Sequence, residues 1–192
     1  VTVRVLVGGL VGQNKAVSVD RDIMLPALTE KDRAALDIGV ALGIRFFALS
    51  FANQASDVDE LRAVIGKDAH VISKIECVNG IVNFDEIAAK SDALLLDRGD
   101  LARQVPIEQI PRLQKDLIQR ARRLGVKMYV ATNLLESMIN APVPTRAEVN
   151  DIYNTLDDGA AGLVLAAETA IGSYPVRCVV MVSRIIRQFV RP

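Results

Sequence analysis

Lys74 and Glu76 stand two residues apart where an apolar run gives out, in Val71-Ile72-Ser73-Lys74-Ile75-Glu76. Side chains alternate along a strand, so both point to the same side. A cation and a carboxylate sharing one face are costly in a core. They belong at the mouth of a site, where they can balance charge on a ligand. Other strand-type runs end in the same way. Ser50 follows Phe46 to Leu49, Arg98 and Asp100 follow Ala93 to Leu96, and Thr132 follows Met128 to Ala131, while Glu168 comes just after Gly162 to Ala166. The chain reads as a frame that brings Asp100, Thr132 and a few backbone amides to Lys74 and Glu76.

The elements that must hold these groups alternate between strand and helix. Thr29 is expected to cap a helix over 30–42, with Glu30 and Asp32 in its first turn and Gly43 as its stop. Ser56 is expected to cap a second helix running to about residue 65, ended by Gly66. Asn79-Gly80 and then a short helix over 84–89 follow the Val71 strand, and a long helix spans 108–124. Thr145-Arg146-Ala147-Glu148 forms a capping box for a helix closing near Asp158-Gly159, and 175–189 is amphipathic. Residues 1–7 read as a strand leading into glycines, and 15–19 as a second extended piece.

The strands are continuous apolar runs, which predicts burial on both faces, and strand-helix-strand units predict a parallel sheet. A doubly wound sheet would carry a glycine-rich phosphate loop, yet no strand here is followed by G-x-G-x-x-G. Functional groups at the carboxyl end of strand after strand are the mark of a TIM barrel. The expected fold is therefore α/β, a TIM (β/α)8 barrel of which about five βα units are present.

Composition narrows the partners. Of 192 residues 51% are apolar and 24% charged, which suits a well-packed globule. Twenty-three basic and 23 acidic residues cancel, leaving no global field for nucleic acid or an anionic membrane. Aromatics make up 4% with no Trp, so a stacking platform for single strands is not expected. Cys77 and Cys178 lack paired spacing, which predicts a reducing, cytoplasmic setting. No apolar run reaches membrane-spanning length.

Ile72-Ser73-Lys74-Ile75-Glu76, Arg98-Gly99-Asp100-Leu101, Ala131-Thr132 with Leu135-Glu136-Ser137-Met138, Pro144-Thr145-Arg146-Ala147-Glu148 and Glu168-Thr169-Ala170 follow one another in order. That succession resembles the pyruvate kinases, and the resemblance covers nearly the whole chain. It implies a TIM barrel of pyruvate-kinase type, with residues 1–24 as the return segment of an inserted small β domain and linker, and 25–192 as a partial barrel. The five strands would be the fourth to eighth of the barrel. The first three strands, most of the inserted domain and a C-terminal domain would lie outside these residues, or a partner would close the sheet.

The resemblance further implies phosphoryl transfer between phosphoenolpyruvate and ADP, giving pyruvate and ATP in glycolysis, by a homo-oligomer. Lys74 would be catalytic, facing the transferring phosphoryl group and the enolate oxygen, where an ammonium can neutralise developing charge. Glu76 and Asp100 would hold Mg²⁺ or Mn²⁺; magnesium takes one or two protein carboxylates and leaves other positions to substrate and water. The amides of Gly99 and Asp100 and the hydroxyl of Thr132 would bind the substrate carboxylate. K⁺ is implied too, with most of its ligands outside this chain.

Several positions depart from the family pattern. Asp97 stands where a small residue, usually alanine, is expected; it adds a negative charge beside the metal pair and is read, like Glu136, as a solvated rim charge. Ala102 and Gln104 replace a glycine and a glutamate, Ala166-Ala167 a Ser-Gly pair, and Asn53 an arginine. These departures keep a second reading open: a catalytically inactive module that binds metal and a pyruvate-like acid, or serves in assembly. A metal-dependent aldolase or lyase acting on pyruvate enolate ranks last. His70 is read as structural, Cys77 as packing, and Arg120, Arg122 and Arg123 as partners of a helix dipole.

Overall fold

The computed structural model describes residues 4–10, 12 and 25–190. Residues 4–10 are exposed and carry no strand; the rest of the expected N-terminal pair of strands lies outside the described residues. Thr29 and Asp32 form a capping box: the Asp32 amide donates to Thr29 Oγ1 at 3.2 Å, and the Thr29 amide donates to the Asp32 carboxylate at 2.9 Å. Helix α1 (Glu30–Ala41) follows, and the chain turns out of it at Gly43, whose φ of 76° suits glycine.

Thereafter come β1 (Phe46–Leu49), α2 (Ala55–Ile65), β2 (His70–Ile75), α3 (Val78–Val82), α4 (Phe84–Lys90) and β3 (Ala93–Asp97). The chain continues through α5 (Arg98–Leu101), α6 (Ile110–Arg123), β4 (Lys127–Ala131), α7 (Arg146–Asp157), β5 (Gly162–Val164), α8 (Ala167–Ala170) and α9 (Pro175–Phe189). Short 3₁₀ turns lie at Ile107–Gln109 and Glu136–Ile139.

The five strands pair in sequence order, β1-β2-β3-β4-β5, and every pair is parallel. Strand, helix and neighbouring parallel strand, repeated without reversal, is the winding of a TIM barrel, here with five strands. Because all strands run one way, their carboxyl ends meet along a single rim. Register fixes the neighbours there: Lys74 lies beside Leu95, and Asp97 beside Ala131.

Helices cover the outer face of the sheet. Val58, Leu61, Phe84, Ile87 and Ile118 pack with Val71, Ile75, Leu94, Leu96 and Val130 in the larger core. Each such side chain contributes on the order of 2 kcal/mol by leaving water. A second core joins Leu134, Leu135 and Met138 to Ile152, Cys178, Val182 and Ile185 under α7 and α9. No helix among the described residues is long and apolar enough to cross a membrane.

The structure corrects two local expectations. Burial on both faces holds for β3, where residues 93–96 are all buried, but β2 alternates between half-buried and buried. Val71, Ser73 and Ile75 face the helices, whereas the inner face is not filled by the described residues. Helix α2 is capped through Asp57 rather than Ser56: its carboxylate accepts the amides of Asn53 at 2.8 Å and Gln54 at 3.2 Å. Asn79-Gly80, given no element from sequence, lies inside α3. There a β-carbon on Gly80 would meet the Ala52 carbonyl at 2.7 Å, so glycine permits close packing.

Candidate functional site

Glu76 is the buried anchor of the rim. It follows β2, is 1% exposed, and its Oε2 accepts the Phe51 amide at 2.7 Å. Phe51 adopts a φ of 51°, a left-handed conformation uncommon for a bulky residue, which turns that amide into the site. Lys74 Nζ lies 2.5 Å from Glu76 Oε1, 3.5 Å from Ser50 Oγ and 3.7 Å from Asp97 Oδ2. The expected same-side placement of Lys74 and Glu76 is therefore a direct ion pair. Its close approach is off the hydrogen-bonding directions, since Glu76 Oε1 is buried without an aligned donor. The oxygen is charge-compensated yet still has coordination capacity.

The two charges respond differently to their surroundings. Burial is the largest influence on Lys74 and favours the neutral amine. The close contact and charge of Glu76, with the charges of Asp97 and Asp100, outweigh it and raise the lysine above its ordinary pKa. Burial also dominates at Glu76 and raises its carboxyl pKa, against the opposing pull of Lys74 and the Phe51 amide.

β3 delivers the other acids. Asp97 ends the strand and caps α5, so Asp97 and Asp100, three residues apart on one helical turn, share a face. Glu76, Asp97 and Asp100 each present a carboxylate oxygen, and these oxygens all lie within 4.8 Å of one another. Asp97 is not the solvated rim charge the sequence suggests. Its side chain is 16% exposed, and its Oδ1 accepts the Thr132 hydroxyl at 2.6 Å and the Gly99 amide at 3.1 Å. Asp100 also pairs with Arg103 at 3.4 Å.

Thr132 follows β4 with a φ of 77°, unusual for a β-branched residue. A β-carbon on Gly99 would fall 2.6 Å from Thr132 Cγ2, so glycine allows the start of α5 its close approach to the Thr132 side chain. Three carboxylates here meet the Lys74 ammonium and, at Asp100, the Arg103 guanidinium, which leaves the cluster one positive charge short. All donors are oxygens, which suits a hard divalent cation such as Mg²⁺ or Mn²⁺ better than zinc, and the undirected Glu76 Oε1 fits that reading.

Other strand-end groups point elsewhere. Arg98 grips the Thr132 carbonyl and Asp151, and reaches Gln114 at 3.3 Å. Glu168, 2% exposed, accepts the amides of Ala166 at 3.0 Å and Leu135 at 3.4 Å, outside the cluster. His70 packs on the Phe46 ring at 5.1 Å, and the Cys77 thiol caps α3. Gln104 Oε1 accepts the Val78 amide at 3.0 Å, so it serves the start of α3. Arg120 bonds Asp85 at 2.6 Å and covers the Phe84 ring. Sequence reasoning set the Asp97 charge beside Glu76 and Asp100, as the structure has it, but missed its bonds to Thr132 and Gly99, and it missed Phe51 altogether.

A parallel βα array with charged groups gathered at the carboxyl ends of its strands belongs to the class of (β/α)8 barrel proteins. A family model described as the barrel domain of pyruvate kinase matches residues 1–179. The chain belongs to the pyruvate kinase family. It is 43% identical over 189 residues to the pyruvate kinase of Methylorubrum extorquens, covering 98% of this chain and 40% of that protein. Pyruvate kinase 2 of Synechocystis is 41% identical over 186 residues, with 95% and 32% covered. The Clostridium perfringens enzyme is 39% identical over 189 residues, with 96% and 40% covered. The chain thus spans two fifths or less of the length of these relatives.

Proposed function

We propose that this chain contributes one half of a pyruvate kinase active site, which transfers phosphoryl between phosphoenolpyruvate and ADP to give pyruvate and ATP. The observation that carries the reading is the meeting of Lys74 with Glu76, Asp97 and Asp100 at adjacent strand ends, within reach of Thr132. Residues 1–24 are assigned to the return segment of an inserted β domain and linker, and 25–192 to the barrel.

In this reading Glu76 and Asp100 hold Mg²⁺ or Mn²⁺, and the bound ion would neutralise phosphoryl oxygens. Lys74, fixed by Glu76 beneath it, presents its ammonium to the phosphoryl group in flight and to the enolate oxygen left behind. The phosphorus–oxygen bond to the enolate breaks as one to ADP forms, and the enolate carbon then gains a proton to give pyruvate. The Thr132 hydroxyl and the amides of Gly99 and Asp100 orient the substrate carboxylate. K⁺ is assigned as a second cation held mostly by residues outside this chain, and the working form is a cytoplasmic homo-oligomer.

The test is metal-dependent turnover of phosphoenolpyruvate and ADP by the full-length protein. Lys74→Met is expected to lower it by about a thousandfold, the scale of losing a preorganised charge at the reacting group. Turnover unaffected by that change overturns the assignment. The position of Asp97 favours a second reading, a module that binds metal and a pyruvate-like acid without turnover. Tight oxalate binding with Mg²⁺ but no kinase activity would select it.

A further inference from the structure

Asp97 already holds the donors that the proposed reading gives to a substrate carboxylate. Thr132 Oγ1 donates to Asp97 Oδ1 at 2.6 Å, and the Gly99 amide donates to the same oxygen at 3.1 Å. The second oxygen, Oδ2, lies 3.7 Å from Lys74 Nζ. One carboxylate thus meets a hydroxyl, an amide and an ammonium, the set a small carboxylic acid would seek. A hydroxyl and an amide each have one proton to give, so two carboxylates cannot both be satisfied by them.

The donors have little freedom to serve another acceptor. Arg98 fixes the Thr132 carbonyl at 2.7 Å, and Gly99 lies too close to Thr132 for even a β-carbon to intervene. Asp97 itself ends β3 in register with Ala131, so its backbone cannot retreat without breaking the ladder. An entering carboxylate would also meet the Asp97 charge, which adds repulsion to competition.

We propose that Asp97 is an internal occupant of the carboxylate subsite and determines its specificity. It weakens the binding of small carboxylic acids, which enter only when its side chain turns out from between Thr132 and Gly99. This inference rests on the assignment of Thr132 and Gly99 to carboxylate binding.

Calorimetric titration of oxalate into the full-length protein at saturating Mg²⁺ tests it, with Asp97→Ala and Asp97→Asn beside the unaltered protein. Asp97→Ala is expected to bind about tenfold more tightly, the scale of one freed charge-assisted hydrogen bond. Asp97→Asn should fall between, because its carbonyl can still accept from Thr132 and Gly99. A smaller residue cannot tighten binding through a purely structural role. Affinity in Asp97→Ala no greater than in the unaltered protein overturns the proposal while leaving the carboxylate assignment standing. So does equal tightening in both variants, which would assign the effect to charge alone. Absence of oxalate binding in all three proteins overturns the carboxylate assignment as well. Should Asp97→Ala lose the fold, Asp97→Gly, acceptable at a helix N-cap, takes its place with the same outcomes.

Discussion

Arg98 holds the carbonyl of Thr132 with two nitrogens, Nη2 at 2.7 Å and Nε at 3.2 Å, while its Nη1 bonds both Asp151 oxygens at 2.9 and 3.0 Å. The clamp joins the end of β4 to α7 at the residue whose φ is 77°. Backbone held in that region costs on the order of 1–3 kcal/mol, and the guanidinium offsets it.

Arg98→Met is therefore expected to lower stability by about 1–3 kcal/mol, because the Thr132 carbonyl loses a charged donor. Urea denaturation measures this. Thr132 would relax toward ordinary φ, and its hydroxyl would swing away from Asp97. An Arg98→Met protein as stable as its parent would show that the clamp contributes nothing.

Glu76 offers a separation of function from stability. Its pKa is raised chiefly by burial, so the folded chain takes up a proton at Glu76 more readily than the unfolded one. That contribution is fully present below the ordinary value of 4.5 and is lost as pH rises through the raised folded value. At neutral pH a buried charge is being maintained against its environment. Glu76→Gln should leave metal-free stability unchanged or higher, yet weaken Mn²⁺ binding at least tenfold. Paramagnetic resonance titration reads the second quantity. Unchanged Mn²⁺ affinity would remove Glu76 from the metal site.

What the sequence revealed was what local spacing encodes. Thr29 with Asp32 and Thr145 with Glu148 announce their helices, and Lys74 with Glu76 announces the site, because each pair lies within one turn or one pleat. The misreadings involve long-range partners. Asp97 looks like a rim charge until Thr132 arrives 35 residues later, and the Phe51 amide reaches Glu76 across 25 residues. Helix α3 went unread because the Ala52 carbonyl that crowds Gly80, and the Gln104 oxygen that serves Val78, come from distant segments. Arg98 is similar: nothing near it in sequence shows that Asp151 will hold it.

Gly99→Ala tests the close approach at α5. The new β-carbon would lie 2.6 Å from Thr132 Cγ2, well inside contact distance, and the clamped Thr132 backbone cannot yield. The side chain or the turn must shift, at a cost of about 1–3 kcal/mol. Oxalate binding should weaken along with stability, since the Thr132 hydroxyl and the Gly99 amide would no longer converge. Parent-like thermal unfolding and oxalate affinity would refute the steric account.

Glu148 should give the chain a distinct acid limb. Its carboxylate accepts the amide and hydroxyl of Ser137 at 2.7 and 2.5 Å and the amide and hydroxyl of Thr145 at 2.7 and 2.9 Å. It thereby ties the 3₁₀ turn after β4 to the start of α7. Burial is the largest single influence and raises its pKa, but the Ser137 and Thr145 hydrogen bonds together hold it below the ordinary 4.5. A lowered carboxyl pKa means the unfolded chain binds the proton first, so this stabilisation is complete above pH 4.5 and is lost as pH falls through the lower folded value. Glu148→Gln should cost about 1 kcal/mol at neutral pH, where neutral hydrogen bonds replace charge-assisted ones. The gap between the two proteins in urea midpoint should then close as pH falls from neutrality to below 4.5, since protonated Glu148 resembles the amide. A gap that stays constant across that range would mean that the charge on Glu148 contributes nothing to holding the 3₁₀ turn against α7.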